Sequence, residues 1–164
     1  MQLLGEFPVS IDNKGRLRVP TALLRQLGEP SLEAGGYEFV VTRGFEGALS
    51  LYPQATWKHF EARLSQLNRH SERQRKLMRF IYSGATYLVT DSADRILLPK
   101  PLMEHAGLND EAILLAMQNY IEIWSPERYQ ENVLMTDPED ITDLADEVLG
   151  SMENGEGASE KEPY

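Results

Sequence analysis

The sequence predicts a mainly β chain with flanking helices, an α+β architecture made from two copies of one short unit. Two observations carry this. An ordered internal repeat runs through most of the chain, and each copy holds stretches where apolar and polar residues alternate beside Asp, Asn, Gly and Pro. A third observation, an acidic segment after residue 136, sets the C-terminal part of the chain apart from the repeats.

The repeat is seen by setting Asp12-Asn-Lys-Gly-Arg16-Leu-Arg-Val-Pro20 above Asp91-Ser-Ala-Asp-Arg95-Ile-Leu-Leu-Pro99. Asp12/Asp91, Arg16/Arg95, Pro20/Pro99, Leu23/Leu102 and Gly28/Gly107 all match at an offset of 79. The first copy then has seven extra residues, and Leu49-Ser-Leu51-Tyr52 matches Ile121-Glu-Ile123-Trp124 at an offset of 72. An ordered set of matches broken by one gap points to duplication, where any single match would mean little.

Within the first copy, Val9 and Ile11, then Leu17 and Val19, alternate with polar neighbours as half-buried strands do. Asp12-Asn13-Lys14-Gly15 between them is a turn, which Asp12 initiates and in which Gly15 can take positive φ. Asp91 has the same structural part in the second copy. Pro20 opens a short helix with Leu23, Leu24 and Leu27 inward, and Gly28 stands at its C-terminal stop. Residues 37–42 and 48–52 read as a further strand pair, mirrored by 112–117 and 120–124. The expected divisions are a first repeat at 6–53, a helical connector at 54–82, a second repeat at 83–127, the end of a C-terminal helix at 128–136 and an acidic tail at 137–164. In the connector Trp57, Phe60, Leu64 and Leu67 share a helical stripe, and Ser71-Glu-Arg starts a second helix. In the tail Ile141, Leu144, Ala145, Val148 and Leu149 also fall at helical spacing, and disorder is expected from Gly150 onward.

The 164 residues are 41% hydrophobic and carry a net charge of −10. Ten of the 26 acids but one of the 16 bases, Lys161, lie in 137–164, so residues 1–136 are near neutral with local basic clusters. No apolar run reaches the roughly 18 residues of a membrane span, and Met1 to Val9 does not read as a signal peptide. The absence of cysteine excludes disulfides and thiolate metal sites and suits a reducing cytoplasm. His59, His70 and His105 are scattered without metal-ligand spacing, and no phosphate loop, nucleophile elbow or dinucleotide fingerprint is present. The expectation is therefore a protein with no catalytic residues, metal, cofactor or small-molecule substrate.

The chemistry concentrates at the first turn. With Leu17 and Val19 inward, Arg16 and Arg18 point outward together, and Lys14 sits at the turn tip. Three cations on a stiff turn can grip phosphates, and arginine can fork onto guanine O6 and N7. The same charges could equally be a solvated surface, with Asp12 pairing Arg16. Residues 12–18 sum to +2 and 91–97 to −1, because Ala93 stands opposite Lys14, Asp94 opposite Gly15 and Leu97 opposite Arg18.

The segment Ser10–Pro20, the second Asp-x-x-x-Arg at Asp91/Arg95, His105-Ala-Gly-Leu108 and Tyr120–Trp124 together resemble the bacterial MraZ family over about residues 1–136. That resemblance implies two AbrB-like swapped-hairpin β-barrel halves forming a pseudo-dimer within one chain, and assembly into a ring-shaped homo-oligomer. It implies a transcriptional regulator, a repressor of its own division and cell-wall operon, binding short tandem repeats of promoter DNA in the cytoplasm and nucleoid. The family's basic positions map onto Lys14 and Arg16, and its second-copy arginine onto Arg95. The family usually has glycine where Asp94 stands, so the first copy is expected to dominate DNA contact, with Arg95 paired to Asp91 or Asp94. The alternative is an AbrB-type antitoxin or interaction module whose acidic tail wraps a partner. Arg69, Arg73, Arg75, Lys76 and Arg79 on the connector read as a solvated helix face, a further DNA contact or an acceptor for the acidic tail.

Overall fold

The computed structural model describes residues 2–153. In chain order the elements are β1 (Leu3–Ser10), β2 (Arg16–Arg18), α1 (Thr21–Leu27), β3 (Glu38–Arg43), β4 (Leu49–Pro53), α2 (Gln54–Leu64) and α3 (Glu72–Tyr82). The second half repeats them as β5 (Thr86–Val89), β6 (Arg95–Leu97), α4 (Lys100–Ala106), β7 (Glu111–Gln118), β8 (Ile121–Trp124) and α5 (Pro126–Tyr129). A π-helical turn, Gln130–Leu134, and a final helix α6 (Pro138–Glu153) complete the described chain. Pro20 and Pro99 stand immediately before α1 and α4, and Gly107 closes α4 in the left-handed conformation. Ser71 caps α3, its hydroxyl accepting from Gln74 N.

The architecture is α+β, and it corrects the expectation of closed barrels. Six strands form one antiparallel sheet in the order β1-β7-β8-β4-β3-β5, whose edges β1 and β5 do not meet, and β2 and β6 form a separate two-stranded ribbon. The order reads as its own mirror when the copies are exchanged: β4 pairs β8 at the centre, β3 and β7 flank them, and β5 and β1 are outermost. The registers obey the same pseudo-twofold. Leu49 faces Ile123 while its equivalent Ile121 faces Leu51, and Arg16 faces Leu97 while its equivalent Arg95 faces Arg18.

The turn at Asp12 is closed locally, with Asp12 N donating to Arg16 O and Gly15 N donating to Asp12 O. The strands it joins nevertheless separate. Apart from a single bridge between Ile11 and Leu17, β1 pairs with β7 and β2 with β6, both from the other copy. Each copy forms one hairpin of its own, β3–β4 or β7–β8, and completes its sheet with strands of the other.

Alternation along the strands divides the interior. Phe39, Val41, Leu49, Leu51, Leu114, Ile121 and Ile123 pack on one face with Leu17, Val19 and Ile96 from the ribbon segments and with Leu23 and Leu102 from α1 and α4. On the opposite face Val40 and Tyr52 pack against Trp57, Leu64 and Ile81 of the connector helices. The second copy covers that face with Tyr129, against Trp124. Tyr52 stacks on both Phe60 and Tyr120, joining the connector to the tip of the β7–β8 hairpin. Arg128, which no sequence pattern singles out, donates to Gly47 O in the β3–β4 loop and to His105 O in the last turn of α4, and so ties the two copies together.

Past the sheet, α6 runs through Gly150 to Glu153, beyond the point where disorder is expected from the sequence. One helical glycine costs only about 1 kcal/mol, less than is needed to end a helix by itself. The rest of the acidic tail, 154–164, lies outside the described residues.

Cross-repeat pairing has a direct energetic signature. Leu17 and Ile96 are register partners, 0% and 1% exposed. Either truncation to alanine should cost about 2–5 kcal/mol in urea unfolding. The double variant should fall short of the sum by about 0.5–3 kcal/mol, as contacting residues do; strictly additive losses would mean the two do not pack together.

Candidate nucleic-acid interface

The site is built on the β2–β6 ribbon. Its inner face carries Leu17 opposite Ile96, both buried, so the alternate residues Arg16, Arg18, Arg95 and Leu97 share the outer face. Arg18 lies directly opposite Arg95, and Arg16 opposite Leu97. The ribbon is clamped at each end by turn carbonyls of the other copy: Leu98 N donates to Gly15 O at 2.9 Å and Val19 N to Asp94 O at 2.8 Å. Three of the four sequence-predicted cations are therefore brought together on one face. Lys14, the fourth, is exposed at the tip of the first turn.

Each aspartate organises its own turn. Asp12 Oδ1 accepts from the backbone N–H groups of Lys14 and Arg16, and Oδ2 accepts from Arg16 Nε at 2.7 Å. Asp91 repeats this with Ala93 N, Arg95 N and Arg95 Nε, the last at 2.9 Å. Both carboxyls are held below the usual carboxylate range, first by the backbone N–H of the arginine and also by its guanidinium. In both pairs the arginine donates to its aspartate through Nε. Arg16 and Arg95 keep 30% and 36% of their side-chain surface exposed, and Arg18 is exposed.

Arg95 pairs with Asp91, one of the two partners expected. Arg16 is held identically by Asp12, so the ion pair does not distinguish the copies. The difference lies in neighbouring positions. Gly15 has φ +87, and a Cβ there would meet Met103 Sδ at 3.1 Å and Leu98 O at 3.2 Å. Asp94 takes the equivalent position with φ +60, a left-handed conformation that costs a non-glycine residue roughly 1–2 kcal/mol. Leu97, where the first copy has Arg18, is 54% exposed.

Beside the first turn, a groove of about 830 Å³ is lined by Asp12, Lys14, Leu88, Leu97, Lys100 and Met103 among others. Lys100 brings a further cation near Lys14. It directly follows the second motif's Pro99, a signal from which sequence reasoning could have found it. Among the described residues no group of three or more His, Cys, Asp or Glu could hold a metal ion, and no helix is long and apolar enough to cross a membrane.

The family model described as "MraZ protein, putative antitoxin-like" matches the chain in two successive stretches, residues 2–80 and 81–145. The chain belongs to the MraZ family. A protein of Pediococcus pentosaceus named transcriptional regulator MraZ is 36% identical over 146 residues, covering 89% of this chain and 96% of the relative. Relatives of the same name from Christiangramia forsetii and a Roseiflexus species are 36% and 39% identical. They cover 92% and 80% of this chain and 95% and 85% of their own lengths. Both Asp-x-x-x-Arg turns of this MraZ-family chain lie inside the matched stretches, one in each.

The turn clamp should respond to acid. Because Asp12 and Asp91 have depressed folded-state pKa values, their stabilisation is fully present above the ordinary value of 3.8 and is lost as pH falls through the folded-state values. Replacing both with asparagine should lower stability at neutral pH and flatten the decline below pH 3.8, read from urea midpoints across an acid series. An acid limb as steep as in the parent would assign that decline to other carboxylates.

Proposed function

We propose that this chain is a sequence-specific DNA-binding transcriptional regulator, a repressor of its own division and cell-wall operon. It binds short tandem repeats in promoter DNA as a ring-shaped homo-oligomer, in the cytoplasm and on the nucleoid. Its two halves are AbrB-like swapped hairpins, a reading supported by the exchange of β2 and β6 partners between the copies. Its DNA-contacting residues are Lys14, Arg16, Arg18 and Arg95, with Asp12, Gly15 and Asp91 as the scaffold of the turns.

The observation that carries the reading is the apposition of Arg18 and Arg95 with Arg16 beside them. Like charges directly opposite on a ladder are destabilising, and here the buried Leu17–Ile96 pair on the reverse face holds them in place. Such a surface is preorganised for an anion. A two-stranded ribbon fits the major groove of B-DNA, where arginine reads guanine and also neutralises phosphate. The name carried by the relatives, transcriptional regulator, supports the same conclusion. A single ribbon makes few phosphate contacts. Head-to-tail cyclic assembly would repeat it in one sense along direct repeats, and linked contacts raise avidity by roughly 10²–10⁴.

The antitoxin reading draws on the family description and on the acidic helix α6, whose apolar face is exposed. Two fused copies argue against it, since a single copy that dimerises would serve; a toxin co-purifying with the chain would favour it.

Mobility shifts on the chain's own upstream DNA, over a salt series, test the main reading. Arg16→Ala, Arg18→Ala and Arg95→Ala should each weaken binding. Each should also flatten the slope of log K against log salt by about 0.9 for every phosphate the variant no longer neutralises. Unchanged affinity and slope in folded variants would remove the ribbon from the interface.

A further inference from the structure

Two features of the chain remain without a place in this mechanism. The first is α6. Ile141, Leu144, Val148, Leu149 and Met152 lie on one side of the helix, each between 44% and 59% exposed. Among the described residues no side chain of α6 is buried. Successive helical residues turn by about 100°, which puts Asp140 and Glu147 along one margin of this stripe and Asp146 and Glu153 along the other. Residues 137–153 contain seven acids and no base.

The second is the connector. Where α2 and α3 meet, a groove of about 400 Å³ is lined by Phe60, Leu64, Leu67 and Leu77, with Leu77 39% exposed. Its surroundings are basic: residues 54–82 hold seven Lys and Arg against two Glu. Arg73 and Lys76, four and one residues before Leu77, are both exposed, and Arg69 precedes them in the loop between the helices.

We infer that α6 of one copy docks its apolar stripe into the α2–α3 groove of a second copy, with its marginal carboxylates over Arg73, Lys76 and their neighbours. An exposed apolar stripe bordered by acids and an apolar groove bordered by bases are complementary in both properties at once. The helix presents its acids at the rim, where they stay partly hydrated, and its aliphatic side chains at the centre, as stable interfaces do. The contact joins different surfaces of the two copies, so it is heterologous and propagates in one direction. With suitable rotation such a contact closes into a ring. The inference rests on the assembly part of the proposed function and is independent of the DNA-contacting residues. It also assigns the basic connector a role other than DNA contact, since α6 neutralises it on docking.

The test uses the full chain. Sedimentation equilibrium over a concentration series should show that Ile141→Asp with Val148→Asp weakens self-association by about 100-fold or more. Because both residues are exposed in α6, the fold should persist, checked by circular dichroism. Arg73→Glu with Lys76→Glu should also weaken assembly. Mixing that variant with Asp140→Lys plus Glu147→Lys should restore association that neither shows alone. Assembly unaffected by the α6 substitutions, or no recovery on mixing, overturns the docking while leaving the oligomeric reading intact. A parent chain that is monomeric throughout would defeat both, and a monomer that becomes less compact on α6 substitution would place the contact within one chain.

Discussion

The candidate interface depends on one ladder, the three-residue pairing of β2 with β6. It is the point where two copies of a sequence motif become one object. Its inner face supplies the buried Leu17–Ile96 contact, and its outer face holds Arg18 against Arg95. The favourable side of this arrangement is apolar burial, about 1.5–3 kcal/mol for each large aliphatic residue. The unfavourable side is repulsion between facing guanidinium groups. Asp12 and Asp91 moderate it by engaging Nε of Arg16 and Arg95, and in doing so they set the direction in which those side chains project. The carboxylates therefore serve the geometry of the cations, which explains acids in the turns beside a surface suited to an anion.

Duplication within one chain frees the halves to differ. A dimer of identical subunits would place the same residue at both equivalent positions of the ribbon. Here Arg18 is answered by Leu97, Lys14 by Ala93 and Gly15 by Asp94 while the backbone keeps its pseudo-twofold. The result is a ribbon whose charge is weighted toward the first copy although its hydrogen bonding is balanced. Asp94 bears the conformational cost that Gly15 avoids, yet it makes the same carbonyl contact, to Val19 N. The divergence is in side chains, not in the path of the chain.

Much of this is legible in the sequence, for physical reasons that differ by element. The turn at 12–15, the proline-led helices and the two connector helices depend on residues close in sequence, and the structure has them in place. The outward direction of Arg16 and Arg18 comes from strand alternation alone. The partner of β2 is not legible, because its ladder mate lies about 79 residues away and a local hairpin satisfies the same pattern. Arg95 reads as a weaker twin in the sequence, from the −1 charge of residues 91–97 and from Asp94, but lies beside Arg18 in the fold. The closed barrels fail on a related point: sharing strands between copies produces one open sheet, with β1 and β5 left as edges. Arg128 is invisible in the sequence because its acceptors are backbone carbonyls, which leave no trace in residue identity.

That Arg16, Arg18 and Arg95 form a single preorganised surface contributed by both copies is the proposal on which the interface stands. It can be tested by following their Nε–H resonances in nuclear magnetic resonance spectra while operator DNA is added, against a scrambled duplex of equal length and salt. All three are expected to shift together, saturating at the same DNA concentration. Shifts confined to Arg16 and Arg18, with Arg95 unmoved, would contradict a shared ribbon surface and return the site to one turn of one repeat.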